Sequence, residues 1–208
     1  INNQKNPDFI LIGSENEKSI EKIKCVYSQL CSRPTFKVMS CLSAEITKLA
    51  LNCYITSKIS FANMIGDICH IIGAESQKVL DAMAGDSRIG KKAFDYGYGY
   101  GGPCFPRDNK AFSFFLKHHN IKDFICKATE HENEAHLKRQ IDLIGKNIIP
   151  NNIEIDGINI LIKGITYKKG SDILDGSQQL NLAIELTKNY KVTIEDTEKI
   201  INEVSKKF

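Results

Sequence analysis

The sequence predicts an α/β protein in which a mostly helical central domain is followed by the start of a parallel-sheet domain. Two observations carry this. Residues 43 to 72 keep an apolar pattern of helical period without interruption, and residues 158 to 194 read as strand, glycine-containing loop, helix and strand.

In chain order, Phe9-Ile10-Leu11-Ile12 is a short strand stopped by Gly13, and Ile20, Ile23, Val26, Tyr27 and Leu30 mark a helix near 17–31. The long helix follows, with Ser43 as its expected N-cap and Glu45 in its first turn, ending near Gly73. At ~1.5 Å per residue it spans ~45 Å, enough to connect domains or to form a dimer seam. Shorter helices are expected at about 75–84 and 107–118 and a longer one at 121–147, around a glycine-rich loop at 85–106. Composition changes at Pro150-Asn151-Asn152. Beyond it, Ile158 to Ile162 is a buried-type strand, 177–189 a helix and Lys191-Val192-Thr193-Ile194 a second strand. The chain opens at Ile1 in loop-like sequence and closes at Phe208 as a helix begins, which reads as a fragment.

Composition narrows the function classes. A net charge of +3 with scattered lysines gives no nucleic-acid footprint. No apolar run reaches the ~18 residues of a membrane span. Seven cysteines at irregular spacing, with no C-x-x-C pair, argue against a disulfide framework or a zinc ribbon and for a reducing, cytoplasmic setting. His131 and His136 are five apart, so H-E-x-x-H is not met and no metal is expected.

The most informative stretch is Gly99-Tyr100-Gly101-Gly102-Pro103-Cys104-Phe105-Pro106-Arg107-Asp108. The glycines allow tight turns and close backbone approach, and the two prolines stiffen the loop around Cys104. Pro106 suits the first turn of a helix, which places Cys104 at a helix N-terminus, where the dipole favours a thiolate. Asp108, four residues on, is positioned to serve as a base or to hold a water. Most cysteines are simply buried small hydrophobes, as Cys25, Cys31, Cys41, Cys53, Cys69 and Cys126 are expected to be. The setting of Cys104 is not that of a core residue. On the long helix, Glu45, Lys48, Asn52, Thr56 and Asn63 share one face among largely apolar neighbours, a polar stripe that fits either a solvated face or a polar cavity.

Residues 99–108 resemble the catalytic-cysteine motif G-x-G-[FY]-G-G-[SP]-C-F-P-[KR]-D of the UDP-glucose/GDP-mannose dehydrogenase family. Three further segments are similar to that family. They are Ala44-Glu45-x-x-Lys48-Leu49-x-x-Asn52, Arg88-Ile89-Gly90 sixteen residues before the cysteine, and Gly164-Ile165-Thr166-Tyr167-Lys168. Asn6-Pro7-Asp8-Phe9-Ile10-Leu11-Ile12-Gly13 resembles the end of its N-terminal domain. The resemblance implies a 6-phosphogluconate-dehydrogenase-like helical domain at 42–148, a remnant of the NAD-binding domain at 1–41, and a partial Rossmann-like nucleotide-sugar domain at 149–208. It implies NAD as cofactor, a UDP-sugar as the expected substrate and a homodimer built on the long helix.

By the same resemblance, Cys104 is the nucleophile that carries a sugar C6 from alcohol to carboxylate, with Lys48 and Asn52 as oxyanion stabilisers and Asp108 serving the hydrolytic water. Tyr98, Gly99, Tyr100, Gly101, Gly102 and Phe105 would wrap the substrate, partly through backbone N–H groups. Arg88 would reach the substrate of a neighbouring subunit, Lys168 the diphosphate, and Arg107 the cofactor. One departure stands out: where the family reads T-D-D-x-R-x-S, this chain has Ser171-Asp172-Ile173-Leu174-Asp175-Gly176-Ser177, an aspartate in place of the arginine. No G-x-G-x-x-G follows a strand in these residues. The alternatives are a non-catalytic helical dimerisation module and a cysteine hydrolase, for which no histidine sits in a comparably constrained loop.

Overall fold

The computed structural model describes residues 5–148 and 158–207, so the composition change at 150–152 lies outside the described residues. The chain divides into two compact units, Ile1–Leu51 and Asn52–Phe208.

The first unit is a small βαβ. Strand β1 (Ile10–Gly13) pairs in parallel with β2 (Phe36–Met39), Ile10 opposite Phe36, with helix α1 (Glu17–Leu30) between them. Asn16 caps α1 through its side-chain oxygen, which accepts from Ser19 N at 3.1 Å. Ile10, Ile12 and Cys31 form the core, with Ile20 and Phe36 against it. Strand β2 has no counterpart in the sequence reading, because it is only four residues long and Lys37 and Val38 are exposed, which leaves no alternation to read.

Helix α2 (Cys41–Ile72) begins in the first unit and continues into the second. Its cap is Ser40 rather than Ser43: Ser40 Oγ accepts from Ser43 N at 3.2 Å, which puts Ser43 inside the first turn.

In the second unit, α2 is followed by α3 (Ser76–Ala84), a loop, α4 (Phe105–His118) and α5 (Phe124–Ile148). A second βαβ completes it: β3 (Asn159–Lys163) and β4 (Lys191–Glu195) are parallel neighbours, Ile162 opposite Ile194, joined through α6 (Gln178–Leu186) and followed by α7 (Glu198–Lys207). The core of this part contains Ile162, Ile165, Leu180, Leu186 and Ile200, and Leu137, Ile141 and Ile144 of α5 pack onto it. The expected mostly helical α/β class is therefore the one observed.

Helix α2 is turned polar side in. Thr56, Ser60, Asn63 and Asp67 are buried while Tyr54, Phe61, Met64, Ile68 and Ile71 are exposed, Tyr54 at 63%. From Thr56 onward the stripe lines a polar interior, whereas Glu45 and Lys48 at its start are exposed. Lys58 also binds inward, donating to the carbonyls of Ile89 (2.9 Å), Gly90 (3.3 Å) and Lys92 (2.8 Å), which gathers the loop after α3.

Candidate active site

Cys104 occupies the residue before α4, with αR backbone angles (φ −99°, ψ −53°) and no capping hydrogen bond from its side chain. Pro106 in the first turn needs no N–H partner and sets the helix in motion. The thiol is exposed at the positive end of the α4 dipole. Cys25 and Cys41 are also exposed, against the expectation that the other six thiols are buried. Cys25 lies on a small α1 with no buried residues, and Cys41 at the first turn of α2, its Sγ donating to Gly13 O at 3.3 Å.

One turn into α4, Asp108 is 3% exposed. Its backbone N–H donates to Cys104 O at 2.8 Å. Asn52 Nδ2 donates to its Oδ2 at 2.6 Å, and Arg107 Nε and Nη2 both reach its Oδ1 at 3.0 Å. Both oxygens thus accept from donors, the arrangement of an ionised carboxylate. The Asp108 hydrogen bond and charge, with a smaller contribution from Cys104 beside it, raise the Arg107 guanidinium further above its ordinary value. The structure therefore brings Cys104, Arg107, Asp108 and Asn52 together. Arg107, expected at a cofactor, is engaged with Asp108. Lys48 is exposed on α2 within the first unit, one turn before Asn52 in sequence.

The glycine loop reaches Cys104 under tight packing from its own chain. A Cβ on Gly99 would lie 2.3 Å from Asn133 Oδ1, one on Gly101 2.0 Å from Gly176 O, and one on Gly102 2.4 Å from the Tyr167 ring; Gly102 also has φ +77°. These glycines serve internal contact as well as any approach to a ligand. Two of the backbone donors expected to wrap a substrate are committed: Tyr100 N–H donates to Asn133 Oδ1 at 2.8 Å and Gly102 N–H to Gly176 O at 3.1 Å. The Tyr100 side chain is buried, whereas Tyr98 is exposed and Phe105 half-buried.

The Gly102–Gly176 and Gly102–Tyr167 contacts bring the 164–177 segment, with exposed Lys168 and Asp175, against this loop. Ser177 fixes that segment, donating to Ile165 O at 2.7 Å and capping α6 through Leu180 N at 3.2 Å. Arg88 is placed elsewhere in the unit. It is exposed and forked onto Asp86, Nη2 to Oδ2 at 2.6 Å, and it borders an open hollow of about 300 Å³ with Tyr54, Phe61, Met83 and Phe94.

Sequence reasoning missed the clamp on the other side of the loop. Asn133 Nδ2 donates to Tyr100 O (3.0 Å), Gln140 Nε2 to Gly97 O (3.1 Å), and His136 Nε2 lies 2.7 Å from the same carbonyl. From α2, Asn63 Oδ1 accepts from Gly97 N (3.0 Å) and its Nδ2 donates to Tyr98 O (3.3 Å). Asn133, His136 and Gln140 repeat, three and four residues apart, the spacing that marks the α2 stripe, so the signal was present.

The Gly101 contact gives a direct test. Gly101→Ala is expected to cost about 1–3 kcal/mol in urea unfolding, because backbone meets backbone and neither can retreat without breaking the Gly102–Gly176 bond. Gly97→Ala, where nothing lies within 4 Å of the added carbon, is expected to stay within about 0.5 kcal/mol of the parent. Equal midpoints for the two variants would contradict the packing described.

The site therefore joins a thiol at a helix N-terminus, a carboxylate one turn behind it and a glycine loop leading in, and comparison with known proteins gives the class of the chain that carries it. Residues 42–135 match the model of the UDP-glucose/GDP-mannose dehydrogenase family, central domain. The chain is 32% identical over 183 residues to a UDP-glucose 6-dehydrogenase of Rickettsia felis, covering 88% of this chain and 39% of that protein. It is 29% identical over 179 residues to one from Haloferax volcanii, covering 85% and 40%. A UDP-glucose dehydrogenase from Pyrobaculum islandicum superimposes with a TM-score of 0.86 at 27% identity, over 98% of this chain and 46% of that one. Through its central domain the chain belongs to the UDP-glucose/GDP-mannose dehydrogenase family. It spans about two-fifths of the length of the curated relatives it matches. Among the described residues, no helix is long and apolar enough to cross a membrane.

Proposed function

We propose that this chain supplies the nucleophile-bearing and part of the sugar-binding portion of an NAD-dependent dehydrogenase that oxidises the C6 alcohol of a UDP-sugar to a carboxylate in the cytoplasm. The observation that carries the reading is the exposed Cys104 thiol at the start of α4 with buried Asp108 one turn behind it, bonded to Asn52. The thiolate adds to the C6 aldehyde carbonyl, forming a C–S bond while the carbonyl electrons move to oxygen. Asn52 is a donor for that oxyanion. Once the adduct carbon has given a hydride to an acceptor that these residues do not hold, the resulting thioester would be hydrolysed, Asp108 taking a proton from the attacking water while the C–S bond breaks and the acid leaves with Cys104 as thiolate.

The described residues do not fit the cofactor itself. Gly99, Gly101 and Gly102 are filled by Asn133, Gly176 and Tyr167, so they form no pyrophosphate cradle, and Arg107 is held by Asp108. NAD stands in the proposal as the hydride acceptor on the resemblance alone, and these 208 residues by themselves are expected to form no NADH.

Thiol mapping tests the nucleophile. Brief alkylation at neutral pH followed by mass spectrometry is expected to label Cys104 ahead of the other exposed thiols, Cys25 and Cys41. Faster labelling of either in the folded chain would remove Cys104 from its role.

The exposed apolar face of α2 also favours the second reading, a dimerisation module, and the two share one expectation. Tyr54, Phe61, Met64, Ile68 and Ile71 recur at spacings of seven, three, four and three, the pattern of a helix seam. We infer a homodimer through this face, with Arg88 beside it at the edge of the hollow that Tyr54 and Phe61 border. Light scattering should give twice the 23.4 kDa chain mass at micromolar concentration, and Phe61→Asp should halve it. A monomeric parent would refute the dimer.

A further inference from the structure

His136 differs in kind from the other residues that hold the glycine loop. It is 1% exposed, with Nδ1 2.8 Å from Asp67 Oδ2 and Nε2 2.7 Å from Gly97 O. A carboxylate oxygen and a peptide carbonyl only accept, whereas a neutral imidazole carries a single N–H. In either neutral tautomer one ring nitrogen of this buried side chain would set a lone pair against an acceptor. Both contacts are attractive only for the doubly protonated ring.

The surroundings balance that charge. Asp67 Oδ1 accepts from Tyr96 Oη at 3.0 Å and Oδ2 from Arg139 Nε at 2.5 Å, while Arg139 in turn pairs with Glu132. From α2, His70 lies over the Tyr96 ring, centroids 4.9 Å apart, and Tyr96 meets His136 edge-on at 5.7 Å. With His136 protonated, two cations face two anions. Burial pushes the Asp67 carboxyl up, but the His136 and Arg139 hydrogen bonds, the His136 charge and the Tyr96 hydroxyl outweigh it and hold Asp67 below its ordinary value. Gly66 makes room for this cluster, since a Cβ there would stand 1.9 Å from the Tyr96 ring.

We propose that His136, held as imidazolium between Asp67 and the Gly97 carbonyl, is a positioning residue that fixes where the glycine loop starts and so how it delivers Cys104 to α4. The role rests on the reading of Cys104 as nucleophile. The loop leaves Gly97 under three grips, from His136, Gln140 and Asn63, and returns under two more, from Asn133 and Gly176. Only the His136 contact is charge-assisted, so its removal is expected to loosen the loop most.

Side-chain nitrogen NMR on the chain at neutral pH reads the ring directly. Protons on both nitrogens of His136 are expected, and one ring proton alone overturns the proposal whatever any enzymatic assay gives. In Asp67→Asn, where the compensating carboxylate is gone, the ring is expected to become neutral; an unchanged doubly protonated ring there would also count against it. In His136→Gln, amide hydrogen exchange across residues 97–102 should accelerate about tenfold or more relative to amides of β3 and α6. Equal acceleration throughout, or none in the loop, rejects a positioning role. None of these readouts uses hydride transfer. A doubly protonated, loop-fixing His136 together with an unreactive Cys104 would reject the nucleophile reading and leave the strut in place.

Discussion

Cys104→Ala is expected to lower sugar-acid formation by roughly three orders of magnitude or more, the scale on which loss of a covalent nucleophile is felt. The assay belongs on an extended chain that joins these residues to a dinucleotide-binding domain and is supplied with UDP-glucose and NAD. The same substitution should leave the unfolding midpoint nearly unmoved, because the thiol is exposed and makes no capping hydrogen bond. The pairing of a large kinetic effect with a negligible stability effect separates chemistry from architecture. Acid formation undiminished in Cys104→Ala would end the proposed mechanism.

Asp108 should show both effects, on stability and on rate. Asp108→Ala removes a buried acceptor from Asn52 and Arg107 and is expected to cost about 1–3 kcal/mol of stability. Asp108→Asn keeps the shape but has a single acceptor oxygen, so either the Asn52 amide or the Arg107 guanidinium must face an NH2 group. In the extended chain, Asp108→Asn should slow thioester hydrolysis by about 10²–10⁴-fold. A sugar acyl adduct on Cys104 should then accumulate, visible as a mass increment on that peptide. Slow turnover with no adduct would place Asp108 outside the hydrolytic step.

Much of this was legible in the sequence. The long helix, the second βαβ and the cysteine loop announce themselves through sustained periodicity and through proline and glycine at positions where geometry demands them. What escaped were features whose signal is short or borrowed. Strand β2 has four residues and is recognisable only once β1 lies beside it. Ser43 reads as the cap on paper, and only the observed turn gives that place to Ser40. The orientation of α2 could not be read either: a stripe of Asn and Thr on an apolar helix looks like a wet face until α4, α5 and the glycine loop supply partners for it. Cys104, Asp108 and Asn52 were each picked out, yet the 2.6 Å bond joining two of them spans 56 residues of sequence and belongs to the fold alone.

The meeting of Gly102 and Gly176 has no side chain on either strand of the contact. Most contacts in a protein can be tuned over generations, a methyl group gained on one side and lost on the other. Here there is nothing to trim: a replacement at either glycine can only intrude. Substitution at this junction is therefore all-or-none at the two glycines and graded around them.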